Sequence, residues 1–159
     1  MEKRYKRKVS KSSRIKVSYS TIGIVIVSYN ASTAVRVTLA SLRRSKNKIP
    51  TKVILIDNAS FDFEREKIRN AFDRHVREAS LSWEYMQLDK NLGFSGGNNI
   101  GIKHFLDDPN ITHICLLNSD VIVPDYWLDW LVESNCDIVS PVTNMADSEQ
   151  CIPIDFSIL

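Results

Sequence analysis

Cysteine and histidine are scarce in this sequence, and their scarcity excludes several kinds of site. There are three cysteines, an odd number without any Cys-x-x-Cys pair, so neither a structural zinc site nor a disulfide framework is indicated. Cys115 and Cys136 lie in or beside apolar runs, which is typical of free core thiols in a reducing compartment. His75, His104 and His113 are scattered along the chain without metal-ligand spacing, and we interpret them as structural.

Long apolar runs are absent as well. No run approaches the roughly 20 residues of a membrane-spanning helix, and the polar residues 12–20 exclude a signal-peptide apolar region after the basic N-terminus. The composition, 43% hydrophobic and 25% charged over 159 residues, is that of one globular domain with a buried core. We therefore expect a soluble cytoplasmic protein.

Positive charge is concentrated at the N-terminus. The net charge is only +2, but residues 1–16 hold eight Lys/Arg and one acid, so the rest of the chain is mildly acidic. We interpret residues 1–20 as a disordered basic tail. Peripheral contact with the anionic inner face of a membrane is the alternative, worth about 1 kcal/mol per charge. Nucleic-acid binding is not indicated, because nothing after the tail resembles a base-reading module.

Apolar patterning after residue 20 alternates between strand-like and helix-like segments. Residues 22–27 are apolar and mostly β-branched, as in a parallel strand buried on both faces. Ser32 or Thr33, Ser95 and Pro124 are the expected helix-start residues. The alternation predicts an α/β fold with a mostly parallel sheet and helices on both faces. The predicted strands are residues 22–27, 53–56, 83–88, 113–117 and 137–140, and the predicted helices are residues 33–44, 63–79, 95–106 and 124–133.

Small polar residues follow four of these strands. Right-handed crossovers place the carboxyl ends of parallel strands at one edge of the sheet, where open α/β sheets bind ligands. We therefore predict one crevice formed by all four clusters. The clusters are Ser28, Tyr29 and Asn30; Asp57 and Asn58; Asn91 and Gly93; and Asn118, Ser119 and Asp120.

Asp120 is the first candidate for a functional residue, because it follows an apolar strand. A carboxylate beside the core is costly unless it is paired or binds a cation. Mg²⁺ or Mn²⁺ would suit it, with phosphate oxygens and water as further ligands. The alternative is a cap for the helix near Pro124.

The stretch after the third strand is rich in glycine. Gly93, Gly96 and Gly97 flank a helix start, which favours an anion such as a diphosphate. Their spacing does not match the dinucleotide fingerprint, and a turn with close helix packing is the alternative. Asp57 could accept hydrogen bonds from a base or ribose, or form an Asx turn with Asn58 and Ser60. Tyr29 and Asn30 could contact a base, although loop packing is favoured for Tyr29.

Four motifs in order resemble the family 2 glycosyltransferases of the Rossmann-like GT-A fold, and most of all a rhamnosyltransferase-like branch. They are residues 21–30, 53–60, 91–101 and 116–120, and the likeness extends over residues 21–144.

The resemblance implies a UDP- or dTDP-sugar donor and a divalent metal. Residues matching Tyr29, Asn30 and Asp57 would line the base and ribose, and residues 93–99 would lie against the donor. Asp120 would hold the metal, with Asn118 where the family motif has Asp. The nucleotide-sugar-binding set implied in this way is Ser28, Tyr29, Asn30, Asp57, Asn58, Asn91, Gly93, Asn98, Asn99, Asn118 and Ser119.

The family further implies inversion by single displacement onto a glycan or lipid-linked acceptor, as in cell-wall polysaccharide biosynthesis. The metal would neutralise the leaving diphosphate, and a carboxylate would activate the acceptor hydroxyl. None of Asp147, Glu149 and Asp155 matches that base, so no catalytic residue is assigned. We expect residues 21–159 to be the donor-binding part of a GT-A domain, truncated before its acceptor half. The alternatives are a nucleotide-sugar-binding module without turnover and an unrelated doubly wound domain with another phosphate ligand.

Overall fold

Four parallel strands and four helices form the part of the chain that the computed structural model describes, which is residues 20–76, 81–134 and 136–141. Strands and helices alternate along the chain, as predicted. The elements are β1 (Ile22–Ser28), α1 (Ser32–Arg44), β2 (Thr51–Asp57), α2 (Asp62–Val76), β3 (Ser82–Gln87), α3 (Gly93–Leu106), β4 (His113–Asn118) and α4 (Trp127–Glu133).

The sheet has the strand order β3-β2-β1-β4, and every neighbouring pair is parallel. Ser28 at the end of β1 is level with Asp57 of β2, and Asp57 is level with Gln87 of β3. Asn118 of β4 pairs with Val27, one residue earlier on β1. The carboxyl ends of all four strands therefore lie at one edge of the sheet.

Helices cover both faces of the sheet. On one face, α1, α2 and α4 bury residues such as Leu39, Phe72 and Trp127 against β1 and β2. On the other face, Phe105 of α3 packs on Val25 and on β2. The predicted α/β architecture with helices on both faces is confirmed.

Two glycines in α3 allow the helix to approach the sheet closely. A Cβ atom on Gly97 would lie 2.7 Å from Val27 Cγ1, and one on Gly101 would lie 2.4 Å from Val25 Cγ1. Real side chains do not tolerate such contacts, so only glycine keeps α3 at this distance. Close helix packing, which the sequence left open for Gly97, is what the structure shows.

One predicted strand does not form, and one predicted helix begins later than expected. Residues 137–140 do not form a strand, and Ile138 is 92% exposed. A short apolar run becomes a strand only where it finds a partner edge, and it has none within the described ranges. The last helix begins at Trp127 after a left-handed Tyr126 (φ 60°), so Pro124 lies before it rather than in its first turn.

The helix starts also differ from the expected caps. Neither α1 nor α3 has a side-chain cap on its N-cap residue. Instead, the Ser32 amide donates to Glu64 Oε2 of α2 at 3.1 Å, a tertiary contact that local sequence rules cannot foresee. Ser95 lies inside α3, which begins at Gly93.

Several predictions concern residues that the structure does not describe. Of the predicted tail, only Ser20 is described, and the late acids Asp147, Glu149 and Asp155 lie outside the described ranges, as do residues 77–80 of the predicted second helix. Among the helices that are described, none is both long enough and apolar enough to span a bilayer.

The thiols and imidazoles are mostly structural. Burial raises the pKa of the Cys115 thiol to about 12, which makes it a poor nucleophile. Cys136 is exposed, so its prediction as a core thiol is wrong. His75 is buried, and His104 pairs with Glu84 at 2.9 Å. In the described part of the chain, no three His, Cys, Asp or Glu side chains form a cluster that could hold a metal ion by themselves.

Candidate functional site

The four polar clusters predicted from the sequence meet at the carboxyl edge of the sheet. Ser28 and Asp57 are directly paired, and Asn118 is on the strand at the other side of β1. Neighbouring strands are about 4.8 Å apart, so the ends of β2 and β4 are separated by about 10 Å. That distance can accommodate a nucleotide lying across the strand ends.

Asn30 joins the loops that follow β1 and β2. Its backbone amide donates to Ser60 Oγ at 2.9 Å, and its Oδ1 accepts from the Phe61 amide at 2.8 Å. Asn30 has φ 51°, a left-handed conformation that Asn tolerates better than most residues. The neighbouring Tyr29 is 43% exposed, and its ring centroid lies 6.2 Å from that of Phe61. The Asn30 side chain thus fixes the loop, while the Tyr29 ring packs beside Phe61 and stays partly exposed.

Asn58 builds the loop that leads into α3. Its Nδ2 donates to Asn91 Oδ1 at 2.9 Å and to the Gly93 carbonyl at 3.1 Å, and its Oδ1 accepts from the Leu92 amide at 2.9 Å. Asn58 is 2% exposed. Asn91 Oδ1 also accepts from the Gly93 amide, and Gly93 itself is left-handed at φ 71°. These two asparagines therefore shape the start of α3 with their side chains.

Asp57 is fully buried, and its carboxylate is satisfied within the fold. Oδ1 accepts from the Ser60 amide at 2.9 Å, which is the Asx turn that the sequence left open. Oδ2 accepts from the Tyr85 hydroxyl at 3.1 Å and lies 3.9 Å from Arg65 Nε. Burial and the nearby Asp57 charge raise the pKa of Tyr85 well above its usual value, so Tyr85 remains a donor.

Arg65 and Tyr85 were not among the residues that the sequence singled out. Arg65 Nη2 donates to the Ser60 carbonyl at 2.9 Å, and Arg69 lies 4.8 Å above the Tyr85 ring. An open cleft of about 360 Å³ lies beside them, next to Gln87 at the end of β3. The pairing of β2 with β3 brings Tyr85 to Asp57, and the position of α2 after β2 brings Arg65 there, so no residue motif identified either side chain.

The glycine-rich stretch presents less side chain to the crevice than expected. Asn98 is 4% exposed, and its Nδ2 donates to the Phe94 carbonyl of its own helix at 2.9 Å. Asn99 is exposed. No atom lies within 4 Å of where a Gly93 Cβ would be, so the backbone there is open.

Ser28 Oγ is buried without a hydrogen-bond partner among the described residues, which is a costly state for a hydroxyl.

Asp120 is exposed in the turn that follows β4. It cannot cap α4, because that helix begins seven residues later in the numbering, at Trp127. Asn118 is exposed too, and the Ser119 carbonyl accepts from Thr38 Oγ1 at 2.9 Å, which anchors the turn to α1. The turn thus offers oxygen donors but only one carboxylate, a set that suits a hard cation if a phosphate supplies further oxygens.

Comparisons with known proteins identify a family and a fold. The family model described as "Glycosyl transferase family 2" matches residues 23–138. Three solved structures of S. aureus TarS are similar to the chain, each with 20% sequence identity over 71% of this chain. TarS 1–349 in complex with UDP has a TM-score of 0.55 and is matched over 31% of its length, and TarS 1–349 in complex with UDP-GlcNAc has a TM-score of 0.55 and is matched over 30%. TarS itself has a TM-score of 0.54 and is matched over 19% of its length. No curated protein matches the chain.

The likeness to TarS extends over part of that protein only. The chain spans less than a third of the length of each TarS chain. At 20% identity the likeness shows the fold, which is a GT-A-like α/β arrangement with a parallel sheet.

Proposed function

The chain belongs to glycosyl transferase family 2, and from that premise we propose that its strand-end crevice binds a nucleotide-sugar donor whose sugar is transferred to a hydroxyl acceptor. The observation that carries the proposal is that the polar ends of four parallel strands lie at one edge of the sheet, within one residue of the same level. Such an edge is where open α/β sheets bind nucleotides. The UDP and UDP-GlcNAc complexes of TarS are consistent with this class of ligand.

Within this proposal, the base and ribose occupy the side of the crevice formed by β1 and β2. The half-exposed ring of Tyr29 offers a stacking surface. Asp57, held by Tyr85 and Arg65, fixes the loop through its bond to the Ser60 amide rather than offering a free carboxylate. Asn30 and Asn58 hold the two flanking loops at a fixed separation.

The diphosphate in this proposal lies at the start of α3. The first amides of a helix have no partner within the helix and carry partial positive charge, which favours an anion. The open backbone at Gly93 lets a ligand approach them. Asn58 and Asn91 accept from the amides of Leu92 and Gly93 and so stabilise this helix start, and the amides left for an anion are those that follow Gly93.

A divalent ion is the further element of the proposal. Asp120, with Asn118 and Ser119 beside it, would hold Mg²⁺ or Mn²⁺ at the end of β4. When bound, the ion would neutralise charge on the leaving diphosphate. The chain's own part is to position one carboxylate at the sheet edge on a turn anchored by Thr38.

The finer parts of the proposal concern the chemistry beyond the donor. The donor would be a UDP- or dTDP-linked sugar, and the chain would belong to the rhamnosyltransferase-like branch of the family. Transfer would invert the anomeric carbon by single displacement. The acceptor would be a glycan or lipid-linked intermediate of cell-wall polysaccharide at the inner face of the membrane. The second candidate function is donor binding without turnover. It uses the same strand-end crevice, and the two candidate functions differ only in whether a sugar is transferred.

Calorimetric titration of the full chain with UDP, dTDP and GDP, with Mg²⁺ and then with chelator, tests the proposal. Tyr29→Ala should weaken nucleotide binding by about 5- to 150-fold, since stacking on an aromatic ring contributes about 1–3 kcal/mol per base. Asp120→Asn should remove the metal dependence. Asp107→Asn, at an exposed acid beyond the other end of α3, is the control and should change neither. Absence of binding by all three nucleotides would overturn the proposal.

A further inference from the structure

Three cationic side chains lie together between α1 and α2. α1 contains three arginines and no Asp or Glu, whereas α2 contains four Lys/Arg and four Asp/Glu. Between the two helices lies a groove of about 360 Å³, lined by Thr33, Arg36, Lys67, Asn70 and Arg74 with neighbouring small residues. We call these five residues the basic groove.

The charge of the basic groove is only partly neutralised within the protein. Lys67 pairs with Glu64 at 3.4 Å, and Glu64 also accepts from the Ser32 amide. Arg36 and Arg74 are both exposed and have no ion pair with any described residue. Among the described residues, two of the three cations thus have no carboxylate partner.

Buried His75 reports the local field. Burial lowers the pKa of its imidazole, and the positive charges of Arg43, Arg74 and Arg36 lower it further. Arg36 of α1 and Arg74 of α2 are therefore close enough together to act on one buried group, in agreement with their shared position in the groove lining.

Exposed apolar side chains border the same groove. Phe63 is 69% exposed, and Lys67 Nζ lies 3.7 Å from its ring centroid. Val37, one helical turn after the groove residue Thr33 on α1, is 37% exposed. A free phosphate ion gains nothing from such side chains, whereas cations beside exposed aromatic and aliphatic groups are typical of surfaces that lie at a bilayer interface.

We propose that the basic groove, with Phe63 and Val37 at its border, docks on the phosphate headgroups of an anionic phospholipid membrane. Arg36, Lys67 and Arg74 contact the headgroups, and Phe63 enters the interface between headgroups and acyl chains. The docked surface borders the strand-end crevice, because Phe61, two residues from Phe63, is in ring contact with Tyr29. The docking itself does not depend on the proposed function. Its consequence does, namely that docking would bring the crevice to a lipid-linked acceptor.

Vesicle co-sedimentation of the full chain tests the docking. The vesicles contain either phosphatidylcholine alone or equal parts of phosphatidylcholine and phosphatidylglycerol. Arg36→Gln with Arg74→Gln should weaken binding to the anionic vesicles about 25-fold, at about fivefold for each arginine, which corresponds to roughly 1 kcal/mol per charge. Phe63→Ser should also weaken binding, several-fold.

Matched controls lie on α3, which covers the opposite face of the sheet. Lys103→Gln removes an exposed charge, and Leu106→Ser removes an apolar side chain that is 71% exposed. Both should bind as the unaltered chain does. The N-terminal tail is the same in every variant, so it cannot account for a difference between them. Circular dichroism verifies that each variant is folded, as expected for exposed positions.

Three outcomes would overturn the docking proposal. The arginine pair could bind vesicles as well as the unaltered chain does, the α3 controls could lose as much binding as the groove variants, or millimolar inorganic phosphate could displace the chain at constant ionic strength. The last result would identify a free phosphate site instead. Nucleotide titration of the same variants separates this proposal from the donor site, because UDP binding should be unchanged in all of them.

Discussion

Replacement of Tyr85 by phenylalanine tests the buried support beneath the crevice. The Tyr85 hydroxyl donates to Asp57 Oδ2 at 3.1 Å, and Asp57 is fully buried. A hydrogen bond to a charged group contributes about 1.5–3 kcal/mol. Asp57 keeps the Ser60 amide and the more distant Arg65, so Tyr85→Phe should cost about 1.5 kcal/mol, the lower end of that range.

Thermal and urea unfolding followed by circular dichroism measure this cost. For a domain of this size the loss corresponds to a melting temperature lower by about 5 °C. Tyr126→Phe is the matched control, because the Tyr126 ring is 39% exposed and its hydroxyl has no hydrogen bond to any described residue. The control should melt as the unaltered chain does.

Alkaline unfolding gives a second measure of the same contact. The pKa of Tyr85 is raised in the folded state, by burial first and then by Asp57. As the pH rises above about 10, an unfolded tyrosine loses a proton that folded Tyr85 retains, so stability falls. Tyr85→Phe should lack this part of the fall. If Tyr85→Phe matched Tyr126→Phe in melting temperature and in alkaline behaviour, the assignment of Tyr85 as the support of Asp57 would be wrong.

Three further predictions concern packing, charge and the tail. Gly101→Ala should destabilise the fold by about 1 kcal/mol or more despite the better helix propensity of alanine, because the alanine Cβ would lie 2.4 Å from Val25 Cγ1. Urea unfolding measures this loss, and Ser95→Ala, at an exposed position of the same helix, is the comparison. Because the pKa of His75 is lowered in the folded state, stability should fall as the pH drops through about 6.5 and below. Arg74→Gln should make this fall shallower, and an unchanged slope in a pH series of urea unfolding would contradict the electrostatic cause. Deletion of residues 1–16 should leave the melting temperature and UDP affinity nearly unchanged, and a large loss of either would show that the tail belongs to the core or the site.

The parts of the fold that the sequence predicted are those set by local patterning. Residues 22–27 could hardly be anything but a strand buried on both faces, and short connections to helices require parallel crossovers. Once the strands are parallel, Asp57 and Asn118 must lie at the same edge. Their shared edge therefore followed from topology without any knowledge of strand order.

The parts that the sequence missed depend on which elements become neighbours. Tyr85 meets Asp57 because β3 pairs with β2, and Glu64 meets the Ser32 amide because α2 packs beside α1. No residue spacing encodes either contact. Ser95 was expected at a helix start by its residue type, but the Asn58 and Asn91 side chains set the start of α3 two residues earlier.

Backbone NMR of the uniformly ¹⁵N-labelled full chain during titration with UDP-GlcNAc and Mg²⁺ tests the central claim most directly. We predict that the amides whose signals move lie at the strand ends, in residues 28–30, 57–60, 91–94 and 118–120. Signals from the opposite edge of the sheet, including Thr51 and Thr112, should stay in place. Shifts confined to that opposite edge, or no shifts at saturating donor, would contradict the assignment of the crevice as the nucleotide-sugar site.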